Sequence, residues 1–563
     1  MGPMRSTNAR ADGTHAPKAD RALVWGRLEI TLGVALTAVL VAARVVAYDH
    51  AGGLWRDEVD SVNLASDPAY GETWMRAWFP ALFSEVLHRW VSLGFGESDA
   101  SLRSYGLLCG FLHVAAAWWT GRQFGARVPW ALLVGLAFNP AMIVYGGSVR
   151  PWGLGVLTQL IMVGCVWRVV TSPSRPRIAL LSIAALVAVQ ATYNNSVMLA
   201  SACAGAGLVC LRRRDVGTIL VLIAIGLVSA LTVLPFFLNA IDPTNDWANV
   251  LRQEQPWSRH IAVLVEAVGQ AGPSMYLVWP AAALGSVGVA CVVLRKPRTA
   301  VVDPATIDRA LFLLGNAIVG TVGFWVYIRL TGLQTEVWYY LPFIALVAVT
   351  VEIGLRIASD LRPRLEPIMA VAALAIFACA WGPTWPALAF RFTNIDLLVK
   401  PLAEQANEND LVVVFPWYAG LTFGRYYHGR APSMNFPDVE KERHSHRGYR
   451  DMKRKMTLNE PIGAELARFE RTLRGGGRIW LVGGLRFLPP GVAPVKLPPA
   501  PHPVYGWSHS AYESSWSQQA AFLLQTHANS IRRIPVNCPA RVNPHEDLAL
   551  FVVEGWRGAA GPK

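Results

Sequence analysis

Eleven apolar segments constrain this chain more than any other feature. A membrane-spanning helix needs about 20 mostly apolar residues. By that measure the candidate segments are residues 28–48, 102–122, 128–147, 151–170, 178–196, 197–211, 217–238, 274–294, 308–329, 339–357 and 367–390. The boundaries are least defined in the two closely spaced pairs, around Arg150-Pro151 and Asn194-Asn195. The sequence therefore predicts an α-helical polytopic membrane protein with about eleven transmembrane helices.

The composition agrees with a membrane protein and excludes some other classes. Of 563 residues, 53% are hydrophobic and only 16% are charged, whereas about a quarter are charged in soluble proteins. The net charge is +13, but no basic helix or aromatic platform motif accompanies it, so nucleic acid is not a predicted partner. Six of the seven cysteines fall in or at the ends of apolar segments. Their spacing predicts neither a disulfide framework nor a metal site.

The placement of basic residues predicts the orientation of the chain. Cytoplasmic loops of membrane proteins are enriched in Lys and Arg. With a cytoplasmic N-terminus, every predicted inside loop is basic and the short outside connections are nearly free of Lys and Arg. Examples of such inside residues are Arg122, Arg127, Arg212, Arg213, Arg214, Arg356, Arg362 and Arg364. We expect an inner (plasma) membrane protein whose first helix is uncleaved and whose C-terminus is extracytoplasmic.

This topology divides the chain into three regions. Residues 1–27 form a cytoplasmic tail, residues 28–394 a transmembrane domain with a large outer loop at 49–101, and residues 395–563 an extracytoplasmic domain. In the outer loop, residues 80–95 are apolar but interrupted by charges, which is typical of an interfacial helix. In the last region, 411–415, 478–482 and 548–553 have the pattern of buried strands and 513–528 that of a helix, which predicts a small α/β domain.

The outer loop contains an acidic stretch, Leu54 to Ser61, directly after the first apolar segment. Ionised groups at the edge of a bilayer cost free energy. Asp57 and Glu58 are adjacent and point in different directions, which suits one as a base and the other as an anchor or metal ligand. A carboxylate acting as general base must lie within hydrogen-bond reach of the hydroxyl proton that it removes. The alternative is that both carboxylates only cap a juxtamembrane helix.

Other candidate residues fall on the same outer side. Arg150 follows the third apolar segment, and its planar guanidinium suits phosphate binding; the alternative is a snorkelling Arg at a helix end. Tyr145 lies close by in sequence, and His88 lies in the outer loop. Tyr339 and Tyr340 begin the tenth segment, where aromatics also form ordinary interfacial belts.

The order of these features resembles the polytopic GT-C glycosyltransferases, in particular the bacterial family 39-like branch of protein O-mannosyltransferases and lipid A aminoarabinose transferases. The family has an Asp-Glu pair in the first outer loop, then a His-containing amphipathic helix, an Arg at the start of the next span, and a Tyr…Arg segment before the fourth. The matching residues here are Trp55-Arg56-Asp57-Glu58, His88 to Gly96, Ser101-Leu102-Arg103, Tyr145 to Arg150 and Tyr339-Tyr340-Leu341-Pro342. Ser148 stands where the family usually has an acidic residue.

The resemblance implies an inverting glycosyltransferase. Such an enzyme moves a sugar from a polyprenyl-phosphate donor to a hydroxyl of an envelope glycan, lipid or protein, beside membrane lipids. In that scheme Asp57 is the general base and Glu58 positions Asp57 or a cation. Arg150 and Arg103 hold the lipid phosphate, and His88, Tyr145, Tyr339 and Tyr340 are candidates for substrate binding. A divalent cation is a candidate cofactor without an identified ligand set.

Two other functions fit parts of the sequence. Transporters and flippases place ionisable residues at mid-membrane depth in broken helices, but here the apolar segments are nearly free of acidic residues. A non-catalytic polytopic scaffold of the cell envelope is the third interpretation, and Ser148 is the residue that keeps it open.

Overall fold

The computed structural model describes residues 16–73, 79–241, 255–272, 274–296, 302–332, 334–439, 446–489, 491–501, 507–538 and 540–557. Up to residue 388 the described chain is helical. Its helices are α1 (Ala16–His50), α2 (Arg56–Ala65), α3 (Tyr70–Thr73), α4 (Ala81–Trp90), α5 (Asp99–Gln123), α6 (Pro140–Val144), α7 (Pro151–Thr171), α8 (Arg175–Ala191), α9 (Asn194–Arg213), α10 (Val216–Ile241), α11 (Trp257–Gly269), α12 (Met275–Arg295), α13 (Pro304–Thr331), α14 (Leu341–Leu361) and α15 (Leu365–Leu388).

The chain is a polytopic membrane protein, as its sequence predicts. Within the described residues, eight helices are long and apolar enough to cross a membrane. Two further predicted spans form helices as well: α5 has 25 residues and α8 has 17. The predicted break near Asn194 is also present, because α8 ends at Ala191 and α9 begins at Asn194.

One expectation is wrong: residues 128–147 do not form a single spanning helix. A π-helical segment, Leu132–Ala137, ends before Asn139, and the short helix α6 starts at Pro140. Proline lacks the N–H that would continue the helix. The Asn139 side chain instead accepts a hydrogen bond from the Met142 N–H at 3.1 Å and caps the new helix. The segment is buried throughout, so hydropathy alone could not distinguish it from a span.

The spans differ in how deeply they are buried. Most side chains of α7 and of the segment Val337–Leu361 lie inside the bundle, whereas α12 and α15 expose most of their apolar side chains, as lipid-facing helices do. Close helix packing relies on small residues. At the contact of α9 with α13, a Cβ on Gly205 would collide with the Phe312 carbonyl oxygen. The spans α7 and Val337–Leu361 therefore lie at the centre of the bundle.

The C-terminal region is a small α/β fold, as predicted. Five strands form one sheet in the order β3-β2-β4-β7-β5, in which β3, β2 and β4 are parallel and β7 and β5 are antiparallel to their neighbours. The strands and helices are β1 (Phe390–Arg391), α16 (Ile395–Gln405), β2 (Leu411–Val414), α17 (Gly420–Tyr426), β3 (Ser433–Asn435), α18 (His446–Met456), α19 (Gly463–Arg474), β4 (Ile479–Val482), α20 (His509–His527), β5 (Ala528–Ile534), β6 (Arg541–Val542) and β7 (Leu550–Trp556). The predicted strands correspond to β2, β4 and β7, and the predicted helix to α20.

The sheet region packs directly on the acidic stretch. The Tyr426 hydroxyl on α17 accepts a hydrogen bond from the Leu54 N–H and donates one to Asp99, each at 2.6 Å. Arg425 forms an ion pair with Asp99 at 2.8 Å. Farther along, the Phe392 N–H donates to the Ala51 carbonyl at 2.9 Å. These bonds hold the start of α2 against both the bundle and the sheet region.

Candidate active site

The acidic stretch forms the first turn of α2, and its two carboxylates face different surroundings. Glu58 is fully buried. Its carboxylate accepts hydrogen bonds from the Arg103 guanidinium at 2.5 Å, from the Val149 N–H at 2.8 Å and from the Trp55 N–H at 3.4 Å. One side chain therefore connects α2, α5 and the segment before α7.

Arg103 is held as firmly as its partner. It is almost completely buried, donates a second hydrogen bond to the Gly53 carbonyl at 2.8 Å and lies 4.6 Å from the Phe392 ring centroid. Burial raises the pKa of Glu58, while the Arg103 charge and the two backbone N–H groups act in the opposite direction. A buried ion pair with this many bonds sets local geometry.

Asp57, the preceding residue, is open to solvent. Its side chain is 29% exposed, and its carboxylate lies 3.4 Å from Arg56. The Arg150 guanidinium donates to the Asp57 carbonyl and to the Ser61 hydroxyl, each at 2.8 Å. Arg150 Nε is buried and has no acceptor among the described residues. The residue with the accessible carboxylate is therefore bonded, through its backbone carbonyl, to a cation that has one unused N–H donor.

Two buried spans begin beside this pair. Arg150 is the residue before α7, and Tyr339 lies at the start of the segment that leads into α14. The Trp152 and Tyr339 ring centroids are 5.0 Å apart, and the Phe79 ring lies 5.2 Å from Trp152 and 5.1 Å from Arg150 Cζ. Helix N-termini carry partial positive charge. The region next to Asp57 is therefore electropositive and is lined by aromatic side chains.

The sheet region adds residues that the sequence alone did not single out. Arg56 Cζ lies 4.1 Å from the Tyr418 ring centroid. Glu546 is fully buried, and its carboxylate accepts hydrogen bonds from the Arg56 N–H and the Thr422 hydroxyl, each at 2.9 Å. Burial raises the pKa of Glu546 to about 7. Glu546 lies far from Arg56 in sequence, so no local pattern could have predicted this contact.

A second polar group from the sheet region lies near Arg56. The Tyr449 ring is 4.9 Å from Trp417 and 5.6 Å from His509. Burial lowers the pKa of His509 to about 4 and raises that of Glu513 to about 7, with the Arg56 charge acting on both groups. His509 Nδ1 and Glu513 Oε1 have no partner within the described part of the chain. These groups can form hydrogen bonds with a polar molecule near Arg56.

Three predicted substrate-binding residues are placed elsewhere or used differently. The His88 Nδ1–H donates a hydrogen bond to the Ala65 carbonyl oxygen at 2.7 Å, and the His88 ring stacks on Tyr70 at a centroid distance of 4.0 Å, at the far end of α2. The Tyr340 hydroxyl is bonded to Thr335 and His260 rather than to the Asp57 site. Tyr145 packs on Trp338 with centroids 5.0 Å apart.

The Ser148 hydroxyl and the carboxylates of the site determine whether the site could bind a cation. The Ser148 hydroxyl donates to the Tyr145 carbonyl at 2.6 Å and is buried. Within the described ranges, no group of three or more His, Cys, Asp or Glu side chains could hold a metal ion. Glu58, the predicted anchor, has its carboxylate occupied by Arg103 and two backbone N–H groups. We therefore derive no chemical step through a cation.

Comparison with solved structures identifies the fold of the chain. No protein-family model and no curated protein matches the chain. Among solved structures, the chain is similar to ArnT from Cupriavidus metallidurans bound to undecaprenyl phosphate, with a TM-score of 0.50 and 14% identity over 94% of this chain and 99% of that one. The chain therefore has the GT-C fold, a fold of polytopic membrane proteins with a C-terminal domain.

Two other solved structures are similar at lower scores. One is the Archaeoglobus fulgidus oligosaccharyltransferase in complex with Zn and sulfate, with a TM-score of 0.45 and 10% identity over 79% of this chain and 68% of that one. The other is the arabinosyltransferase EmbB from Mycobacterium smegmatis, with a TM-score of 0.37 and 15% identity over 63% and 37% of the two chains. The fold assignment does not depend on them.

Proposed function

We propose that this protein is an inverting glycosyltransferase that transfers a sugar from a polyprenyl-phosphate donor to a hydroxyl group of an acceptor outside the cytoplasm. The observation that carries the proposal is the bond of a partly unsatisfied guanidinium, Arg150, to the backbone carbonyl of Asp57, the residue with the accessible carboxylate. The GT-C fold agrees with it, and the similar ArnT structure contains undecaprenyl phosphate.

Asp57 acts as the general base. Its carboxylate accepts the proton of the acceptor hydroxyl while that oxygen bonds to the anomeric carbon of the sugar. The bond between the anomeric carbon and the phosphate oxygen breaks at the same time, and its electron pair leaves with the polyprenyl phosphate. Attack from the face opposite the leaving group inverts the anomeric configuration.

Arg150 binds the departing phosphate. The phosphate gains negative charge as the bond breaks, and a fixed cation stabilises that developing charge more than the ground state. The hydrogen bonds from Arg150 to the Asp57 carbonyl and to Ser61 fix the orientation of the guanidinium. The positive ends of α7 and of the segment leading into α14 act in the same direction.

Glu58 and Arg103 are positioning residues in this scheme. Their ion pair and the Glu58 bond to the Val149 N–H keep Asp57 and Arg150 at a constant separation. A close approach of the backbones makes this possible, because a Cβ on Gly106 would collide with the Gly147 carbonyl oxygen. Arg103 thus acts on the phosphate through the site geometry, while Arg150 makes the direct contact.

The acceptor enters from the side of the sheet region. On that side Arg56 lies beside Asp57 and contacts the Tyr418 ring. Tyr449 and His509 pack on each other close by, with Glu513, whose Oε1 has no partner among the described residues. Aromatic faces with adjacent hydrogen-bonding groups suit molecules that are partly apolar and rich in hydroxyls. The sheet region would therefore select the acceptor, and the bundle would bind the donor.

The test is to compare the parent strain with one lacking the gene. We expect the mutant to accumulate an unused polyprenyl-phosphate sugar and to lose the matching sugar from an envelope glycan, lipid or protein. Purified protein in nanodiscs should then cleave that donor when an extract of the mutant's envelope is added. Movement of the intact donor across a liposome membrane without bond cleavage would instead show a transporter. An unchanged donor pool and an unchanged envelope would contradict the proposal.

A further inference from the structure

The first membrane-spanning helix contains a buried arginine that the proposed reaction does not use. Arg44 is only 3% exposed and lies six residues before the end of α1. Its Nη1 donates to the Leu40 carbonyl of the same helix at 3.0 Å. Nε and Nη2 are buried, and no acceptor for them exists among the described residues. A charged side chain inside a membrane span is costly, and such residues usually have a functional partner.

Arg44 lies in a narrow crevice between α1 and α5. Among the residues that line it are Arg44, Tyr48, Arg103, Gly110 and Phe392. The Arg44 side chain lies so close to α5 that a Cβ on Gly110 would be 2.9 Å from its Cδ. The Nε of Arg103 is also buried and without an acceptor in the described part of the molecule. Two guanidinium groups therefore bring unpaired N–H donors to one crevice.

The charges around the crevice do not balance. The lining residues include two arginines and no acidic residue. Glu58, the ion-pair partner of Arg103, compensates one of the two positive charges. The second positive charge, on Arg44, has no counter-charge there. A water molecule could accept hydrogen bonds but could not neutralise this charge, and an uncompensated buried charge is strongly destabilising.

The size and surroundings of the crevice indicate what could supply the negative charge. Its free volume of about 20 Å³ accommodates one oxygen-sized atom. On the same two helices, Val45, Leu108 and Leu112 are each more than 40% exposed, which is typical of lipid-facing positions. The crevice thus lies beside the bilayer, where phosphate groups are carried on lipids.

We propose that this crevice binds a phosphate group, one oxygen of which enters between α1 and α5 and accepts hydrogen bonds from Arg44 and Arg103. The rest of the phosphate stays at the mouth, on the lipid side. This site is separate from the donor phosphate site, because Asp57, Ser61 and Arg150 are not among its lining residues. It does not depend on the transfer reaction, and its test measures only binding and unfolding.

The experiment measures the thermal unfolding of full-length protein in detergent without lipid. Undecaprenyl phosphate, phosphatidylglycerol, inorganic phosphate or chloride is then added separately. We compare the parent with Arg44→Met, which keeps the bulk and removes the charge, and with Arg44→Lys, which keeps a charge. Arg175→Met is the matched control, because Arg175 is exposed at the start of α8. Native mass spectrometry of the same samples counts the phosphate lipids that remain bound.

The effect of Arg44→Met on the unfolding midpoint should differ between protein without ligand and protein with bound lipid. Without ligand, removal of an uncompensated charge should raise the midpoint of unfolding. Phosphatidylglycerol at 100-fold its dissociation constant should raise the midpoint of the parent by about 2 °C, and Arg44→Met should lose most of this shift and at least tenfold in retention of this lipid. Arg175→Met should behave as the parent does, and Arg44→Lys should keep part of the shift.

The separate additions identify the source of the phosphate. A response to either lipid but not to inorganic phosphate supports a lipid headgroup, and a response to all three supports recognition of the phosphate group itself. An equal response to chloride would overturn the proposal, as would a phosphatidylglycerol shift that persists in Arg44→Met. If Arg44→Met does not fold, the Arg44→Lys variant and the chloride comparison on the parent still decide.

Discussion

Polar side chains surround both ends of α2, but the two ends differ in whether those side chains have hydrogen-bond and ion-pair partners. At the N-terminal end, Asp57 is accessible and Arg150 has an unfilled donor. At the C-terminal end, about 12 Å away along the helix, His88 is bonded to Ala65 and Arg89 to Glu85. That end also borders a cavity of about 740 Å³.

The difference shows that a large cavity alone does not define a reactive site. Beside the cavity the charged side chains Arg89 and Glu85 pair with each other and His88 bonds to the backbone. The Ser66 hydroxyl there, which has no partner among the described residues, is neutral. The N-terminal end has less satisfied charge, and it is held by the Glu58–Arg103 ion pair and by the starts of two buried spans. Preorganised, unsatisfied charge is what a group-transfer site needs.

The strongest test of this comparison exchanges one carboxylate at each end. Asp57→Asn removes the general base, and we expect the rate of transfer to fall by about 1,000-fold, within the usual range for acid–base catalysis. The partly exposed side chain should not be needed for folding. Initial rates of donor consumption in nanodiscs would measure the effect.

Asp67→Asn is the matched control, because Asp67 follows α2 at its other end and caps the Ala69 N–H. We expect it to keep the rate within about threefold, since a local cap contributes only about 1 kcal/mol to stability. Equal losses in both variants would show that the reaction uses the whole helix and would remove the distinction between its ends.

The second test concerns the rigidity of the N-terminal end. Glu58→Gln leaves Arg103 buried without a counter-charge, and loss of one partner of a buried ion pair costs about 3 to 5 kcal/mol. We expect a lower unfolding midpoint and a reduced rate at saturating substrate. Glu85→Gln, which breaks the exposed pair with Arg89 near the other end, should change stability by less than about 1 kcal/mol. A larger loss from Glu85→Gln would contradict the comparison.

Arg150→Lys tests whether geometry or charge alone is required at the phosphate. Lysine keeps the positive charge but cannot hold the Asp57 carbonyl, Ser61 and a phosphate with one planar group. Loss of a charge-assisted hydrogen bond costs about 1.5 to 3 kcal/mol, so we expect a loss of about 10- to 100-fold in kcat/KM. A variant with normal kcat/KM would show that any nearby cation is sufficient.

Glu546 gives the N-terminal end of α2 a pH dependence. Its folded-state pKa, about 7, is above that of an unfolded glutamate, so the folded protein binds the proton more tightly. This contribution to stability is complete below about pH 4.5 and is lost as the pH rises to about 7. At pH 8 we expect the free energy of unfolding of Glu546→Gln to exceed that of the parent by on the order of 2 kcal/mol, and its unfolding temperature to be higher. At pH 5 the two proteins should have similar stability. An equal difference at both values would contradict the shifted pKa.

The sequence predicts most of the fold because its patterns are local. Apolar length identified the spans, and short apolar runs identified β2, β4 and β7. Residues 128–147 are the exception, since burial by protein and burial by lipid select the same apolar residues and only Asn139-Pro140 indicated the break. In the candidate site, Asp57, Glu58, Arg103 and Arg150 were found from sequence.

The division of roles within the site was not predictable in the same way. Whether Asp57 or Glu58 is the free carboxylate depends on Arg103 and Val149, which come from other segments. Glu546 reaches Arg56 only through tertiary structure. Arg44 did leave a signal, a single arginine inside an apolar segment, and its burial gives that signal its meaning.

Apart from the control variants, His88→Ala has the smallest expected effect, and it tests the comparison from the other side. The substitution removes one hydrogen bond to Ala65 and the stacking contact with Tyr70, so it should cost about 1 to 2 kcal/mol of stability. If the cavity at this end binds neither substrate nor the reacting groups, the rate per folded molecule should stay within about threefold of the parent. Rates normalised to the folded fraction separate the two effects. A large loss of kcat/KM at normal stability would assign the cavity to a substrate, and α2 would then connect two functional ends instead of one functional and one structural end.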